Sequence, residues 1–225
     1  ENISVEGTGS YVGGLVGSND DGSITNCYST GTVRGSDIVG GLVGNNVGGV
    51  TASHSTATVS GRGAVGGLAG NNSRDIKAGN IGGTITASYS TGTVSGTRNN
   101  VGGLVGSSDG SITSSYSTGT VSGTRNHVGG LVGSSDGSIT TSYSTGTVTG
   151  NENFGGLVGI NSGSIISSFW DIETSGQATS AGGRGLTTTE MQDINTYLND
   201  GWDFVDEILN GNCDYWQLSP DDCPR

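Results

Sequence analysis

The residues best suited to contact a ligand are threonines within a recurring string. STGTV occurs at residues 29–33, 90–94, 117–121 and 144–148, and STATV occupies 55–59. Successive side chains of a strand point to opposite faces, so a buried valine leaves both threonines of its string exposed. Stacked copies would form two columns: Thr30, Thr56, Thr91, Thr118 and Thr145 beside Thr32, Thr58, Thr93, Thr120 and Thr147. These hydroxyl and methyl groups could order water against ice, whereas the plainer interpretation is a solvated strand surface.

A second set of residues has one ring in each repeat, directly before each of the five strings and at the equivalent position of the last repeat. Its members are Tyr28, His54, Tyr89, Tyr116, Tyr143 and Phe169. Counting by twos from Ile24 puts this aromatic column on the core side, unless a corner of the chain intervenes. Inside, it would be a stack of rings about 4.8 Å apart, in which His54 is a stack member and not a metal ligand. Outside, it would be a candidate carbohydrate-binding surface.

Groups suited to catalysis are scarce. Enzymes that cleave polysaccharides on β-helices need a basic residue or a carboxylate pair to handle the proton and the developing charge. The repetitive part has one lysine, Lys77, and scattered carboxylates, so we expect a protein that is not an enzyme and needs no cofactor. Calcium could bind the acidic residues of the tail, although they lack EF-hand spacing. These residues are Asp200, Asp203, Asp206 and Glu207.

Composition excludes several classes of protein. Among 225 residues, 45 are glycine and 30% are hydrophobic, which argues against a thick globular core. The formal charge of −12 provides no cationic surface for nucleic acid. The apolar runs are too short to cross a bilayer, which takes about 20 residues, so we expect no membrane insertion.

The string GGLVG or GGLAG marks an internal repeat. It occurs six times, at leucine spacings of 27, 26, 36, 27 and 26, and residues 73–83 form an insertion in the long interval. A unit this short cannot bury its own apolar face, so neighbouring units must stack, and a propeller blade would need about 40 residues. The pattern predicts an all-β protein, a right-handed parallel β-solenoid (β-helix) of about six coils of 26–27 residues. The marker leucines are Leu15, Leu42, Leu68, Leu104, Leu131 and Leu157.

The composition changes near residue 170, which predicts two domains, a solenoid over 1–170 and an acidic module over 171–225. All three tryptophans lie from Trp170 onward, where we expect them to roof the last coil. Thr187 and Glu190 form a capping box for a helix over about 188–199, and Gly201 stands where a C′ glycine would end it. We therefore expect a small α+β cap that covers the strand edges of the last coil.

The cysteines suggest a compartment. Cys213 and Cys223 could close a disulfide loop, which would place the protein outside the cytoplasm. Cys27 is then left over. Serine occupies its position in the other repeats, so we interpret it as a small residue tolerated in that column.

Two stretches of the repeat resemble a known family. GGLVGNNVGGV at 40–50 and GGLVGINSGSI at 155–165 are similar to the GLUG repeat of large bacterial surface and secreted proteins, including the stalks of some immunoglobulin A proteases. The resemblance covers about residues 12–170. Ser108 and Ser135 depart from it because the family has asparagine there. The stretch SFWDIETSGQATSAGGRGLTTTEMQ resembles the segment that often follows the last repeat.

The resemblance implies an extracellular or cell-surface stalk, adhesin or scaffold, with no catalytic residues to carry over. Its partners would be other copies of itself or other domains of a larger surface protein, with polysaccharide or ice as alternatives. Val5 aligns with Val33, so the first coil presents a bare edge that upstream sequence or another copy must cover. A contact between copies would be head-to-tail and would repeat into a filament.

Overall fold

The repeat folds as a parallel β-solenoid, as the sequence predicts. The computed structural model describes residues 3–75, 81–205, 216–217 and 223–224. Within them, six coils of five short strands each stack into five sheets, named A to E in the order in which a coil visits them. All pairings between coils are parallel and join equivalent residues, such as Val59 with Val94. The handedness of the solenoid stays a prediction.

The strands of each coil follow the order of the sheets. Coil 1 contains β1 (Ile3–Glu6), β2 (Tyr11–Gly13), β3 (Val16–Asn19), β4 (Ser23–Thr25) and β5 (Tyr28–Ser29). Coil 2 contains β6 (Gly31–Arg34), β7 (Ile38–Gly40), β8 (Val43–Asn46), β9 (Gly49–Thr51) and β10 (His54–Ser55). Coil 3 contains β11 (Thr58–Gly61), β12 (Ala64–Gly66), β13 (Ala69–Asn72), an antiparallel pair β14 (Arg74–Asp75) and β15 (Ile81–Gly82) in the insertion, β16 (Thr84–Thr86) and β17 (Tyr89–Ser90).

The remaining coils repeat the pattern without insertion. Coil 4 contains β18 (Val94–Gly96), β19 (Val101–Gly102), β20 (Val105–Ser108), β21 (Ser111–Thr113) and β22 (Tyr116–Ser117). Coil 5 contains β23 (Val121–Gly123), β24 (Asn126–Gly129), β25 (Val132–Ser135), β26 (Ser138–Thr140) and β27 (Tyr143–Ser144). Coil 6 contains β28 (Val148–Thr149), β29 (Glu152–Gly155), β30 (Val158–Asn161), β31 (Ser164–Ile166) and β32 (Phe169–Asp171).

The interior holds two apolar clusters separated by a narrow contact. One cluster contains the marker leucines from Leu42 onward, and the other contains valines of sheets A and B. Between them, the second glycine of each pair but the last faces a serine of sheet E, and Gly156 in the last pair faces Trp170. A Cβ built on Gly103 would overlap both Ser117 Oγ and the carbonyl of Gly130. Glycine is therefore required there because the opposite walls of the coil touch.

Two polar ladders run through the stack beside the apolar clusters. At the corner between sheets C and D, Asn19 Nδ2 donates to Asn46 Oδ1 at 2.8 Å, and Asn46 Nδ2 donates to Asn72 Oδ1 at 2.9 Å. Asn72 then donates to Ser108 Oγ at 3.2 Å. The strands at this corner stay paired in the same register at Ser108 and Ser135. These two serines therefore interrupt the amide ladder without changing the fold.

The second ladder lies between sheets D and E, in the column of Cys27. The backbone N–H of Ser88 donates to Ser115 Oγ at 3.2 Å, and this hydroxyl donates to the carbonyl of Thr113 at 2.8 Å. The same two bonds recur at Ser53, Ser88, Ser142 and Ser168. The serines of this column therefore contribute a hydroxyl to the hydrogen bonds and are not only small side chains. Cys27, its first described member, donates its thiol to Thr25 O at 3.3 Å.

A chain segment covers the last coil. Gly156 N donates to Thr179 O at 3.1 Å, and Val158 N donates to Ser180 Oγ at 2.8 Å. Strand β33 (Arg184–Leu186) pairs with β32 in sheet E. The opposite end differs, because Leu15 is 51% exposed while its equivalents Leu42 and Leu157 are 0% exposed.

Three short helices follow the last coil: α1 (Ile172–Ser175), α2 (Thr188–Met191) and α3 (Ile194–Leu198). The predicted capping box of Thr187 and Glu190 is present, and these hydrogen bonds lower the pKa of the Glu190 carboxyl. The single helix predicted over 188–199 is wrong, because α2 ends at Met191 with Gln192 as its C-cap, and Asp193 caps α3 by accepting from Asn195 N at 3.0 Å.

The predicted stop at Gly201 is confirmed by its backbone. Gly201 has φ of 78° and donates to Leu198 O at 3.1 Å, while Trp202 N donates to Tyr197 O at 3.1 Å. These two bonds are those of a Schellman motif with Gly201 at C′. The sequence analysis missed α1, although Asp171 as its N-cap and Gly176 at its C-cap are signals that could have predicted it.

The serine ladder should be worth a measurable free energy at each step. Ser115→Ala removes the acceptor of the buried Ser88 N–H and the donor to Thr113 O, so we expect the free energy of unfolding to fall by about 1–3 kcal/mol. Cys27→Ser, in the same column, should change it much less. Urea denaturation followed by circular dichroism measures both, and an equal loss in the two variants would contradict the ladder.

Candidate functional site

The threonine columns face solvent, as predicted. All ten threonines are exposed or half-buried, and the valine of each string is buried. The two columns do not share a flat sheet, however. The residue between the threonines of a string lies where sheet E gives way to sheet A, and the chain bends there at Gly92, Gly119 and Gly146. The columns therefore lie on either side of a corner and do not form one flat surface.

The aromatic column lies outside the solenoid, so the count by twos from Ile24 gave the wrong side. The cause is a left-handed residue in every coil, two positions before each ring, which reverses the alternation. This residue is Asn26 with φ of 54°, Ala52 with 48°, Ala87 with 47°, Ser114 with 47°, Thr141 with 45° and Ser167 with 44°. The serine after each of the first five rings turns inward instead, as at Ser55 and Ser90.

The rings stack face to face along the solenoid axis. From Tyr28 through His54, Tyr89 and Tyr116 to Tyr143, centroids are 5.4, 4.6, 4.8 and 5.1 Å apart, with interplanar angles of 10, 2, 4 and 5°. The prediction of His54 as a stack member is confirmed. Since each ring covers the face of the next, the column presents ring edges and not the open ring faces of a carbohydrate platform.

The C-terminal segment covers half of this column. Tyr28 is 64% exposed, whereas Tyr116 is 8% and Tyr143 is 1% exposed. Trp202 and Trp216 pack against Tyr143 at centroid distances of 6.3 and 5.8 Å. The tryptophan prediction is thus only partly right: Trp170 packs against the core at the end of the solenoid, but the other two cover its side.

Phe169, the last member of the column, has different neighbours. It packs on Trp202 at 5.6 Å and meets Tyr197 edge-on at 5.6 Å, and the Arg184 guanidinium lies 4.9 Å from its centroid. Tyr197 donates its hydroxyl to Met191 O at 2.6 Å, and burial raises its pKa. This buried aromatic cluster fixes the helices against the solenoid.

The acidic tail shows no metal centre in the part that the structure describes. No group of three or more potential ligands among His, Cys, Asp and Glu comes together in that part. Asp200 instead forms a salt bridge with Arg184 at 2.6 Å. Asp206 and Glu207 lie outside the described residues, so calcium at the tail stays a prediction.

The predicted disulfide cannot be placed, because Cys213 lies outside the described residues. Its proposed partner Cys223 is half-buried beside the aromatic cluster. Cys27 is half-buried in the first coil and carries a free thiol. None of the helices within the described residues is long and apolar enough to cross a membrane.

One surface was not predicted from the sequence. Arg98 and Arg125 lie one coil apart between sheets A and B, in the repeated string TRN at 97–99 and 124–126. Together with Asn99 and Asn100 they line a cavity of about 370 Å³. The signal for this surface is the recurrence of the string at the spacing of the coils.

Comparison with known proteins agrees with the geometry of the coils. The model of the GLUG motif matches residues 8–34, 97–122 and 124–149, each about one turn of the solenoid. The chain carries GLUG repeats. Its other coils keep the same strands and pairings, including the coil interrupted by β14 and β15. No curated protein matches the chain significantly.

One solved structure has a similar fold. It comes from Bacteroides ovatus and is provisionally described as an immunoglobulin A1 protease. It aligns with a TM-score of 0.66 at 23% identity, covering 88% of this chain and 69% of the other. At this identity the likeness shows the fold alone. The GLUG repeats here thus belong to a solenoid that recurs in a solved bacterial structure.

The place of His54 in the column predicts a dependence of stability on pH. Burial lowers the pKa of His54 below its usual 6.5. As the pH falls below 6.5, the unfolded chain therefore binds this proton first, and the folded state loses stability until the folded pKa is passed. His54→Tyr restores the tyrosine of the other coils and removes the effect.

Thermal unfolding at about pH 8 and at about pH 5.5 tests this prediction. We expect His54→Tyr to raise the free energy of unfolding by about 0.5 kcal/mol or more at the higher pH. The difference in the free energy of unfolding between His54→Tyr and the wild type should be larger at the lower pH. Tyr89→His is the matched control, since it should introduce the same dependence in the next coil. An advantage that is equal at both values would show that His54 does not carry the effect.

Proposed function

We propose that this GLUG-repeat chain is an extracellular structural β-solenoid, a stalk or scaffold segment with an adhesive or spacing role. The observation that carries the proposal is the difference between its two ends. The last coil is covered by the segment that follows it, whereas Leu15 is 51% exposed in coil 1 and strands β1 to β5 have a free edge. Further β-structure can therefore pair with coil 1, whereas the described segment 176–186 already covers part of the last coil.

We propose a role without catalysis. A structural unit of this kind works through its length and its surfaces, and its hydroxyl-rich ladders serve the fold. The protease description of the similar structure does not transfer to this chain, because a likeness at 23% identity concerns the fold. Ice binding has less support than the structural role, because the two threonine columns lie on either side of a bend.

The cap changes what self-association can look like. A filament grown end to end needs a free edge at both ends of each copy. In the described residues, Thr179 and Ser180 occupy the edges of sheets B and C at the last coil. We therefore propose that association uses the open edge alone, either with further β-structure of a larger surface protein or with one second copy.

Light scattering coupled to size-exclusion chromatography, over a range of concentrations, tests this proposal. We expect monomers and discrete dimers, with no fibres in electron micrographs. Leu15→Lys should abolish the dimer without loss of fold, because Leu15 is already half exposed. Thr120→Lys, on the side of the solenoid, is the control and should leave the dimer intact. Fibres that lengthen with concentration would show that the cap does not finish the solenoid.

Our proposal of an extracellular location rests mainly on the predicted disulfide between Cys213 and Cys223. Mass spectrometry without reductant, on protein isolated from its natural compartment, should show one disulfide in the tail. Cys27 should react with an alkylating reagent after unfolding. Free thiols at both Cys213 and Cys223 would remove the main support for an oxidising compartment.

A further inference from the structure

Charged side chains cluster at two corners of the solenoid, and each corner has an excess of one sign, with Arg74 at the acidic corner and Asp37 at the other. The acidic corner lies between sheets C and D, and the other lies between sheets A and B. The acidic corner contains Asp20, Asp21, Asp109 and Asp136. We call the exposed set Arg62, Arg98 and Arg125, between sheets A and B, the basic corner. It is a local concentration of positive charge on a chain whose formal charge is −12.

The two equivalent arginines of the basic corner are held close to each other. Thr124 N donates to Gly96 O at 3.1 Å, which keeps the two TRN strings in register, so Arg98 and Arg125 are about 4.8 Å apart along the axis. The salt bridge found in the described part of the chain joins other residues, Arg184 and Asp200. This distance separates the two backbones, and the like charges of the side chains that extend from them repel, which an anion bound between them would relieve.

The basic corner opens into a cavity of about 370 Å³. Short side chains on coil 3 leave room for this cavity. Coil 3 has Gly63 and Ala64 at the positions where coil 4 has the longer Asn99 and Asn100. His127 Nδ1 lies 2.8 Å from Asn100 Oδ1. Since an amide oxygen only accepts, the imidazole donates this bond, and the Asn100 amide nitrogen is left to donate.

We propose that this cavity binds the acidic sugar of a carboxylated polysaccharide, an activity beyond the structural role. The planar fork of a guanidinium matches a carboxylate with two parallel hydrogen bonds, and two arginines one coil apart suit neighbouring carboxylates of a polymer. Amide groups such as those of Asn99 and Asn100 pair with sugar hydroxyls. The cavity has the volume of a small-ligand site and no aromatic lining on which a nucleobase could stack.

Isothermal titration calorimetry with trigalacturonic acid tests the proposal, and its fully methyl-esterified form is the uncharged control. We expect the wild-type chain to bind the acid, to bind the ester at least about tenfold more weakly, and to lose affinity as salt rises. The double variant Arg98→Gln/Arg125→Gln should also lose about tenfold or more. Arg34→Gln, at the end of strand β6 in sheet A and outside the cavity, should bind like the wild type.

Three results would overturn the proposal. They are equal affinity for the acid and its ester, undiminished binding by the double variant, and no heat of binding from the wild type. In the third case, sedimentation would show whether the double variant dissolves a dimer of the wild type. Such a dimer would mean that the basic corner binds the acidic corner of a second copy. Circular dichroism confirms that each variant folds, which exposed substitutions should permit.

Discussion

The contact between the second glycine of each GLUG pair and the serine across the coil sets the cross-section on which the rest of the structure depends. At this point the walls are so close that a Cβ on Gly41 would overlap Ser55 Oγ. The interior is thereby divided into two apolar clusters, each lined by small aliphatic side chains. A chain with 30% hydrophobic residues can fill compartments of this size, although it could not fill an undivided core.

Polar ladders compensate for the limited apolar volume. Each buried serine between sheets D and E uses its hydroxyl as an acceptor and as a donor, so the left-handed corner beside it leaves no unpaired polar group at that serine. A left-handed conformation at Ser114 or Thr141 costs about 1 kcal/mol or more for a residue other than glycine. The two hydrogen bonds offset this cost, and they recur because every coil repeats the same corner.

The sequence predicts whatever follows from the repeat alone. The spacing of Leu42, Leu68 and Leu104 predicts the stacking of coils, and the valine after each threonine pair predicts which side is buried. It does not predict the corners, because alanine, serine and threonine carry no signal for a left-handed backbone. One such residue reverses the alternation, so counting by twos from Ile24 gave the core side, and the intervening corner named as the exception turns the aromatic column outward. The basic corner was missed for a related reason, since arginines in loops become neighbours only when the register is known.

The outward position of the aromatic column explains how one element can serve both the shaft and its cap. Stacked rings cover each other's faces, so the column is tolerated in water at Tyr28 and His54, where the described chain leaves its side exposed. Nearer the last coil, Trp202 and Trp216 bury the ring edges of the same column at Tyr143 and anchor the helices to the side of the solenoid. The segment 176–186 runs across the last coil and is bonded to it through Thr179, Ser180 and strand β33. A cap held both at this end and from the side closes the solenoid without adding to its narrow core.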